Sequence, residues 1–286
     1  LIAVWAMESN FGSEQGDFDI IRCLATLAAS GRRRAWAEGE LEAALRILQS
    51  GRASRERLRG SWAGAMGQTQ LLPSVYLALG RDGDGDGRVD IWGSAPDALA
   101  SAANLLSQAG WKRGEDWARE VSLPGDFDWG LSEGPRQPAD WWRARGARRA
   151  DGAAWDRADA AAPAILLLPA GRGGPAFLAF PNHFVIRAYN NSIAYALAVG
   201  FLADRFAGRG GVRTPWPREI PLSLTDRLDA QTALAKLGFN PGAPDGVIGV
   251  GSRQALRAWQ RKTGLPAYGY LSPQVVARLR SAARGA

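Results

Sequence analysis

The sequence predicts a mainly helical α+β fold made of a large part and a small C-terminal one. Three observations carry this reading. Apolar residues recur at intervals of three and four over most of the chain, short apolar runs surround a Gly/Pro-rich stretch between 163 and 190, and a second Gly/Pro break near 208–217 precedes a renewed helical pattern. Helices are expected over 1–12, 17–30, 37–50, 95–109 and 191–207. The runs Ile165-Leu166-Leu167-Leu168 and Phe184-Val185-Ile186 flank Gly171-Arg172-Gly173-Gly174-Pro175 and read as strands of a small sheet. Between 121 and 162, Trp, Arg, Asp and Pro dominate with weak periodicity, as in an irregular insertion.

Gly208-Arg209-Gly210-Gly211 and Pro215-Trp216-Pro217 interrupt helix and strand alike. They set a linker at 213–221 between a domain at 1–212 and a second at 222–286, with few contacts expected across it. In the second, a helix at 226–237 ends at Gly238, a turn-rich stretch covers 240–246, a helix at 252–263 ends at Gly264, and a helix at 273–283 follows. Three short helices make a small bundle.

With 286 residues and a hydrophobic fraction of 46 %, the chain can bury a core in each part. It holds no run of about 18 uncharged apolar residues, the length a membrane span needs. The apolar opening Leu1-Ile2-Ala3-Val4-Trp5-Ala6-Met7 lacks a basic leader and a small-residue cleavage site, and is not read as a signal peptide. Because the chain opens inside a helix, an N-terminal portion is expected to be missing, and any export signal with it. The net charge of +7 favours an anionic partner: nucleic acid, a membrane surface or the cell wall. The basic residues are dispersed, apart from Arg32-Arg33-Arg34 and the stretch from Arg143 to Arg149, and form no nucleic-acid-reading motif, so nucleic acid is set aside. Cys23, the single cysteine, excludes an intrachain disulfide and, among Ile20, Ile21, Leu24 and Leu27, reads as a buried thiol. The single His183, between Asn182 and Phe184, has no second His or Cys for a zinc site and reads as a loop residue.

Glu8 shares a helical stripe with Leu1, Val4, Trp5, Phe11 and Gly12. A carboxylate on such an apolar, Trp-bearing face is desolvated and its pKa rises toward that of a general acid. The alternative is that Glu8 only marks the end of an apolar helix. The segment Gly60-Ser61-Trp62-Ala63-Gly64-Ala65-Met66-Gly67-Gln68-Thr69-Gln70-Leu71-Leu72-Pro73-Ser74 mixes small residues, which permit close backbone approach, with hydroxyls and amides suited to sugar hydroxyls. On composition alone it fits tight helix packing better than ligand contact.

Together with Trp5-Ala6-Met7-Glu8-Ser9-Asn10-Phe11-Gly12, that segment resembles the lytic murein transglycosylase B family. The resemblance extends to Asp19-Ile20-Ile21-Arg22, Ala25-Thr26-Leu27-Ala28, Phe184, Tyr189-Asn190-Asn191-Ser192 and Tyr195-Ala196, and covers residues 1 to about 207 in order. It implies a lysozyme-like helical fold with Glu8 as catalytic acid/base and with Ser61, Gln70, Tyr189 and Asn190 on the glycan. It also implies no second carboxylate: the muramic acid C6 hydroxyl attacks C1, leaving a 1,6-anhydromuramoyl end and needing no cofactor for the chemistry. The implied partner is the glycan strand of peptidoglycan in the bacterial periplasm or cell envelope, with room for proteins of wall synthesis or remodelling. Leu71 and Leu105 stand where the family often carries aromatics, which touches individual sugar subsites. A hydrolytic muramidase on the same fold and a non-catalytic wall-binding protein remain the alternatives.

Asp82-Gly83-Asp84-Gly85-Asp86-Gly87-Arg88-Val89-Asp90 matches an EF-hand loop at positions 1, 3, 5, 6 and 9. Gly93 stands where the bidentate carboxylate of position 12 belongs. Asp82, Asp84, Asp86, Arg88 and Asp90 are thus candidates for a weak structural calcium site, against a metal-free Asp/Gly turn. Among 12 tryptophans, Trp62 and Trp92 flank the motifs and could stack on sugars or sit in the core. Finally, Gln231-x-x-Leu234-x-x-Leu237-Gly238-Phe239, Asp245-Gly246-x-x-Gly249 and Ala258-Trp259-Gln260 resemble the peptidoglycan-binding domain-1 family, with Gly251-Ser252 for its usual Gly-Thr.

Overall fold

The computed structural model describes residues 1–31, 33–155 and 160–285; Arg32 of the triple-arginine run lies outside them. The elements in chain order are α1 (Ile2–Ser9), β1 (Phe18–Asp19), α2 (Ile20–Ala29), α3 (Arg34–Gln49), β2 (Arg59–Gly60), α4 (Pro73–Leu79) and α5 (Ala95–Gln108). There follow β3 (Ala118–Ser122), β4 (Gln137–Pro138), α6 (Ala139–Arg143), β5 (Arg148–Arg149), β6 (Pro163–Leu167), β7 (Ala176–Ala179), α7 (Pro181–Ile186) and α8 (Ile193–Phe206). The chain then runs through α9 (Leu224–Lys236), α10 (Val250–Lys262) and α11 (Pro273–Arg284). The fold is mainly helical with small sheets, and contacts divide it into two units, 1–113 with 185–210, and 114–184 with 211–286.

In the first unit, Ile20 and Leu24 of α2, Ala44 and Ile47 of α3, Tyr76 of α4 and Ala98 of α5 bury side chains in one core, joined by Met66, Leu71 and Ile91 from the loops. Helices α2, α4 and α5 are each started by a specific polar group, whereas α1 and α3 have no side-chain cap. Asp19 accepts from the Arg22 N–H (3.0 Å) at α2, and Ser94 accepts from the Asp97 N–H (3.3 Å) at α5. For α4 the acceptor comes from another helix: buried Glu40 of α3 takes the Ser74 N–H (3.0 Å) and hydroxyl (2.7 Å). Cys23 is half-buried rather than buried, because it lies one position from the inward stripe of Ile20 and Leu24.

The second unit contains a five-stranded antiparallel sheet ordered β4-β6-β7-β3-β5. The stretch expected to be irregular supplies three of its strands in whole or part, and its aromatics are core: Trp142 is 1 % exposed and packs with Phe127. Strands of two to five residues are too short to show a period, which is why the sequence hid them. Residues 184–186, expected as a strand, belong to helix α7, which Pro181 opens with a backbone angle suited to a first turn. The neighbouring strand is β7, all four of whose residues are buried. His183, expected in a loop, lies in α7, 0 % exposed and stacked on Trp117 at 6.3 Å between ring centroids.

Helices α9, α10 and α11 form the expected three-helix bundle around Leu234, Leu256, Trp259, Val276 and Leu279. The expectation of few contacts across the linker does not hold within this unit. Arg253, Arg257 and Arg261, one turn apart on α10, all reach the 130–133 turn of the sheet region. Glu133 pairs with Arg253 (2.8 Å) and Arg257 (3.1 Å), Arg257 donates to the Ser132 hydroxyl (3.2 Å) and Arg261 to the Gly130 carbonyl (2.8 Å). Linker residues Arg213 and Thr214 give their N–H groups to Glu120 of β3 (2.7 and 2.8 Å).

Candidate functional site

Glu8 stands in the last turn of α1, and its position follows from how that helix stops. Asn10 (φ 48°) and Phe11 (φ 58°) adopt left-handed backbone, an expensive conformation for side chains other than glycine. Asn10 N–H returns to the Ala6 carbonyl (3.0 Å), and Gly12 N–H donates to the Ser9 hydroxyl (2.8 Å), which itself donates to the Gln68 carbonyl. Buried Gln68 completes the brace: its Oε1 accepts from the Trp5 indole (3.0 Å) and its Nε2 donates to the Trp92 carbonyl (3.2 Å). A Cβ at Gly12 would lie 2.5 Å from Gln68 Oε1, so only glycine fits there. The Gly-rich segment thus clasps the turn after Glu8. Its packing reading holds at Gly60, where a Cβ would collide with the Ala65 carbonyl.

Across from α1, the first turn of α8 is capped by Ser192 and presents Tyr195, whose hydroxyl donates to Glu8 Oε1. Half-buried Glu8 has its pKa raised by burial, and the Tyr195 hydrogen bond pulls in the opposite direction without cancelling the rise. Burial and the Glu8 carboxylate push the Tyr195 hydroxyl far up, so it stays a donor. Tyr189 packs at the edge of the first core, with its hydroxyl also raised, by burial before the charge of Glu8. No other carboxylate contributes to the Glu8 shift. The result is a single carboxyl with one oxygen held by a phenol, suited to giving and retaking one proton.

The other expected residues fall as follows. Ser61 is half-buried, its oxygen accepting from the Ala65 N–H (3.1 Å). Gln70, itself in left-handed backbone (φ 52°), donates its amide to the carbonyls of Gln15 and Gly67, both at 2.9 Å. Asn190 is exposed in the α7–α8 loop beside Tyr189, and Trp62 is 63 % exposed. Trp92 packs on the core, its ring 5.5 Å from that of Tyr76. Sequence reasoning gave Tyr195 no role, although it is the only phenol on the apolar helix α8. In the sequence Gln68 is only one of several amides.

In the acidic loop, carboxylate oxygens of Asp82, Asp84 and Asp86 lie within 4.8 Å of one another. Asp90 is not brought to them: it pairs with Arg57 (2.8 Å) and accepts from the Trp92 and Gly93 N–H groups. Asp97 of α5, near the loop, is buried and accepts from the N–H groups of Gly83 (2.8 Å) and Asp90 (2.6 Å). Burial pushes its pKa up, but these hydrogen bonds outweigh that and hold it below the usual range. Arg88 is exposed.

The family described as Transglycosylase SLT domain matches residues 1–204, and that described as Putative peptidoglycan binding domain matches residues 223–279, which span the three-helix bundle. The crystal structure of SltB3 from Pseudomonas aeruginosa in complex with NAG-anhNAM-pentapeptide matches with a TM-score of 0.92 at 49 % identity, over 98 % of this chain and 75 % of that one. The structure of Escherichia coli lytic transglycosylase Slt35 in complex with calcium gives a TM-score of 0.61 at 30 % identity, over 72 % of this chain and 64 % of that one. Membrane-bound lytic murein transglycosylase B of Escherichia coli K12 is 29 % identical over 221 residues, 72 % of this chain. The chain spans 56 % of that relative's length.

Proposed function

The chain belongs to the Transglycosylase SLT domain family, and on that footing we propose that it is a lytic transglycosylase of the bacterial cell envelope, acting in the periplasm on the MurNAc-β-1,4-GlcNAc bond of peptidoglycan. The observation that carries this reading is the half-buried Glu8, with raised pKa and one oxygen held by Tyr195. The catalytic domain is assigned to 1–212 and the wall-binding domain to 222–286, joined by 213–221. No helix among the described residues is long and apolar enough to cross a membrane.

The protonated Glu8 gives its proton to the glycosidic oxygen as the C1–O4 bond breaks and GlcNAc departs, with the MurNAc N-acetyl group assisting at C1. The Glu8 carboxylate then takes the proton of the MurNAc C6 hydroxyl, whose oxygen closes on C1 to form the 1,6-anhydro ring. The proton ends on Glu8 and no water is consumed. One residue serves as acid and base because the two transfers are sequential. Ser61, whose oxygen is already an acceptor, offers its hydroxyl proton to the sugar. Gln70, whose amide hydrogens are spent on Gln15 and Gly67, offers its carbonyl. Asn190 offers an exposed amide, and Tyr189, its hydroxyl buried, offers its ring.

The test is the pH profile of sacculus clearing. Departure needs protonated Glu8, so the rate falls as pH rises through the Glu8 pKa. The Tyr195 hydrogen bond favours the ionised form, and removing it in Tyr195→Phe raises that pKa. The alkaline limb of the variant is therefore expected at higher pH than in the wild type, with a lower peak rate. An unmoved limb would separate Tyr195 from the titration, and a wild-type chain that clears no sacculi would remove the proposed function.

Asp82, Asp84 and Asp86 form one side of a hard-cation site and fit a structural calcium ion that plays no part in the chemistry. Calcium should raise the melting temperature relative to EDTA. At a hundredfold excess over Kd the gain is about 2.7 kcal/mol. Coincident melting curves would make the loop a metal-free turn.

A further inference from the structure

Two buried glutamines do the same structural work on successive helices of the bundle. Gln231 of α9 accepts the Gly246 N–H on its Oε1 (2.8 Å), and Gln260 of α10 accepts the Gly269 N–H (2.9 Å). Their donors differ. Gln231 spends its Nε2 on Asp245 (3.1 Å), the Val247 carbonyl (3.2 Å) and Ser252 (3.1 Å). Gln260 is 1 % exposed, yet its Nε2 has no hydrogen-bond partner among the described residues. Its amide hydrogens are thus available to an acceptor from outside.

Gln260 lines a cavity of about 560 Å³ between the ends of α10 and α11 and the 171–173 turn, all within the second unit. Two guanidiniums share that cavity, Arg172 from the turn and Arg278 from α11. Both are exposed, neither has an ion pair among the described residues, and no carboxylate lines the cavity. Ser272, the N-cap of α11, is also in its wall, where the helix carries partial positive charge. A second cavity of about 470 Å³ shares Arg172, Leu265 and Pro266 with the first and adds Asp126, Asp128 and Arg261, which donates to the Gly130 carbonyl. The trench thus carries guanidiniums without carboxylates at one end and carboxylates beside guanidiniums at the other.

We propose that this trench binds the peptide stem of peptidoglycan, with a free stem carboxylate at Arg172, Arg278 and Gln260 and a stem amine at Asp126 and Asp128. The inference rests on the wall-lytic reading and adds a recognition site remote in sequence from Glu8. Paired guanidiniums bind carboxylates through charge-assisted hydrogen bonds, and carboxylates confined to the other end of the trench suit a zwitterionic peptide better than a neutral glycan.

The test is calorimetric titration of the full chain with a sugar-free stem pentapeptide, using wild type, the double variant Arg172→Gln/Arg278→Gln, and Gln260→Glu. Loss of charge-assisted contacts should weaken binding about tenfold or more in the double variant, and similarly for a peptide with amidated carboxylates. Gln260→Glu keeps the acceptor for Gly269 but sets a carboxylate against the ligand's own, so it too should weaken binding. The melting curve of each variant reports its fold. Absence of peptide binding by the wild type, equal affinity in folded variants, or equal binding of inorganic phosphate would overturn the proposal. Sacculus clearing by the wild type separates the two readings. A clearing enzyme with unchanged titrations loses only the trench, and a chain that clears nothing loses the lytic activity whatever the titration gives.

Discussion

Glu8→Gln is expected to slow sacculus clearing by more than about 10²-fold, the scale of a missing acid/base, without lowering the melting temperature at neutral pH. Glutamine keeps the shape of the side chain and still accepts the Tyr195 hydroxyl on its carbonyl oxygen, but it has no proton to exchange. The stability half follows from the sign of the shift. A raised carboxyl pKa means that the folded chain holds the proton more tightly than the unfolded one. That contribution is complete at low pH and is lost as pH rises through the folded pKa, above which the desolvated charge works against folding. Replacing it with a neutral amide removes that cost. A variant with near wild-type turnover would take Glu8 out of the mechanism, and a variant inactive only because it melts early would leave its role undecided by rate, which is why both quantities are measured together.

Glu133→Ala is expected to cost about 3–5 kcal/mol, the range for removing one partner of a buried ion pair. Arg257 is 6 % exposed, burial lowers its pKa ahead of the compensating charge of Glu133, and Arg253 shares the same carboxylate. Without Glu133, Arg257 keeps only the Ser132 hydroxyl and Arg253 only the Ile248 carbonyl. Denaturation of the full chain should show an earlier transition for the sheet-and-bundle unit. A loss within about 0.5 kcal/mol, as for an exposed pair, would mean that the bundle is held by its apolar contacts alone. The same ion pairs change the outlook for cutting the chain after the linker: such a truncation strips Glu133 of its partners and uncovers part of the sheet region.

The sequence made the chemistry more legible than the architecture around it. Glu8 stands out as a carboxylate on an apolar Trp-bearing stripe, but its assignment as acid/base comes from the family resemblance, whereas the bundle is legible because each of its helices carries its own punctuation. Tyr195 lies 187 residues from the carboxyl it touches, and no periodicity links positions that far apart. Gln68 was hidden in plain view, since an amide among small residues looks the same whether it faces a sugar or braces Trp5. The sheet was largely invisible because strands such as Gln137–Pro138 and Arg148–Arg149 are too short to alternate. The spacing of Arg253, Arg257 and Arg261 was the one available sign of docking: a row of like charges one turn apart on a helix that needs a carboxylate opposite. Asp90 shows the converse, a residue in the right loop position that turns instead to Arg57.

The central claim is that Glu8 acts twice on one substrate and that water takes no part. Digesting purified sacculi in water enriched in heavy oxygen and weighing the released muropeptides tests it directly. Every new MurNAc end should be a 1,6-anhydro end, lighter than the reducing sugar by one water and free of the label. Reducing ends carrying the heavy oxygen would contradict the account and make the enzyme a hydrolytic muramidase.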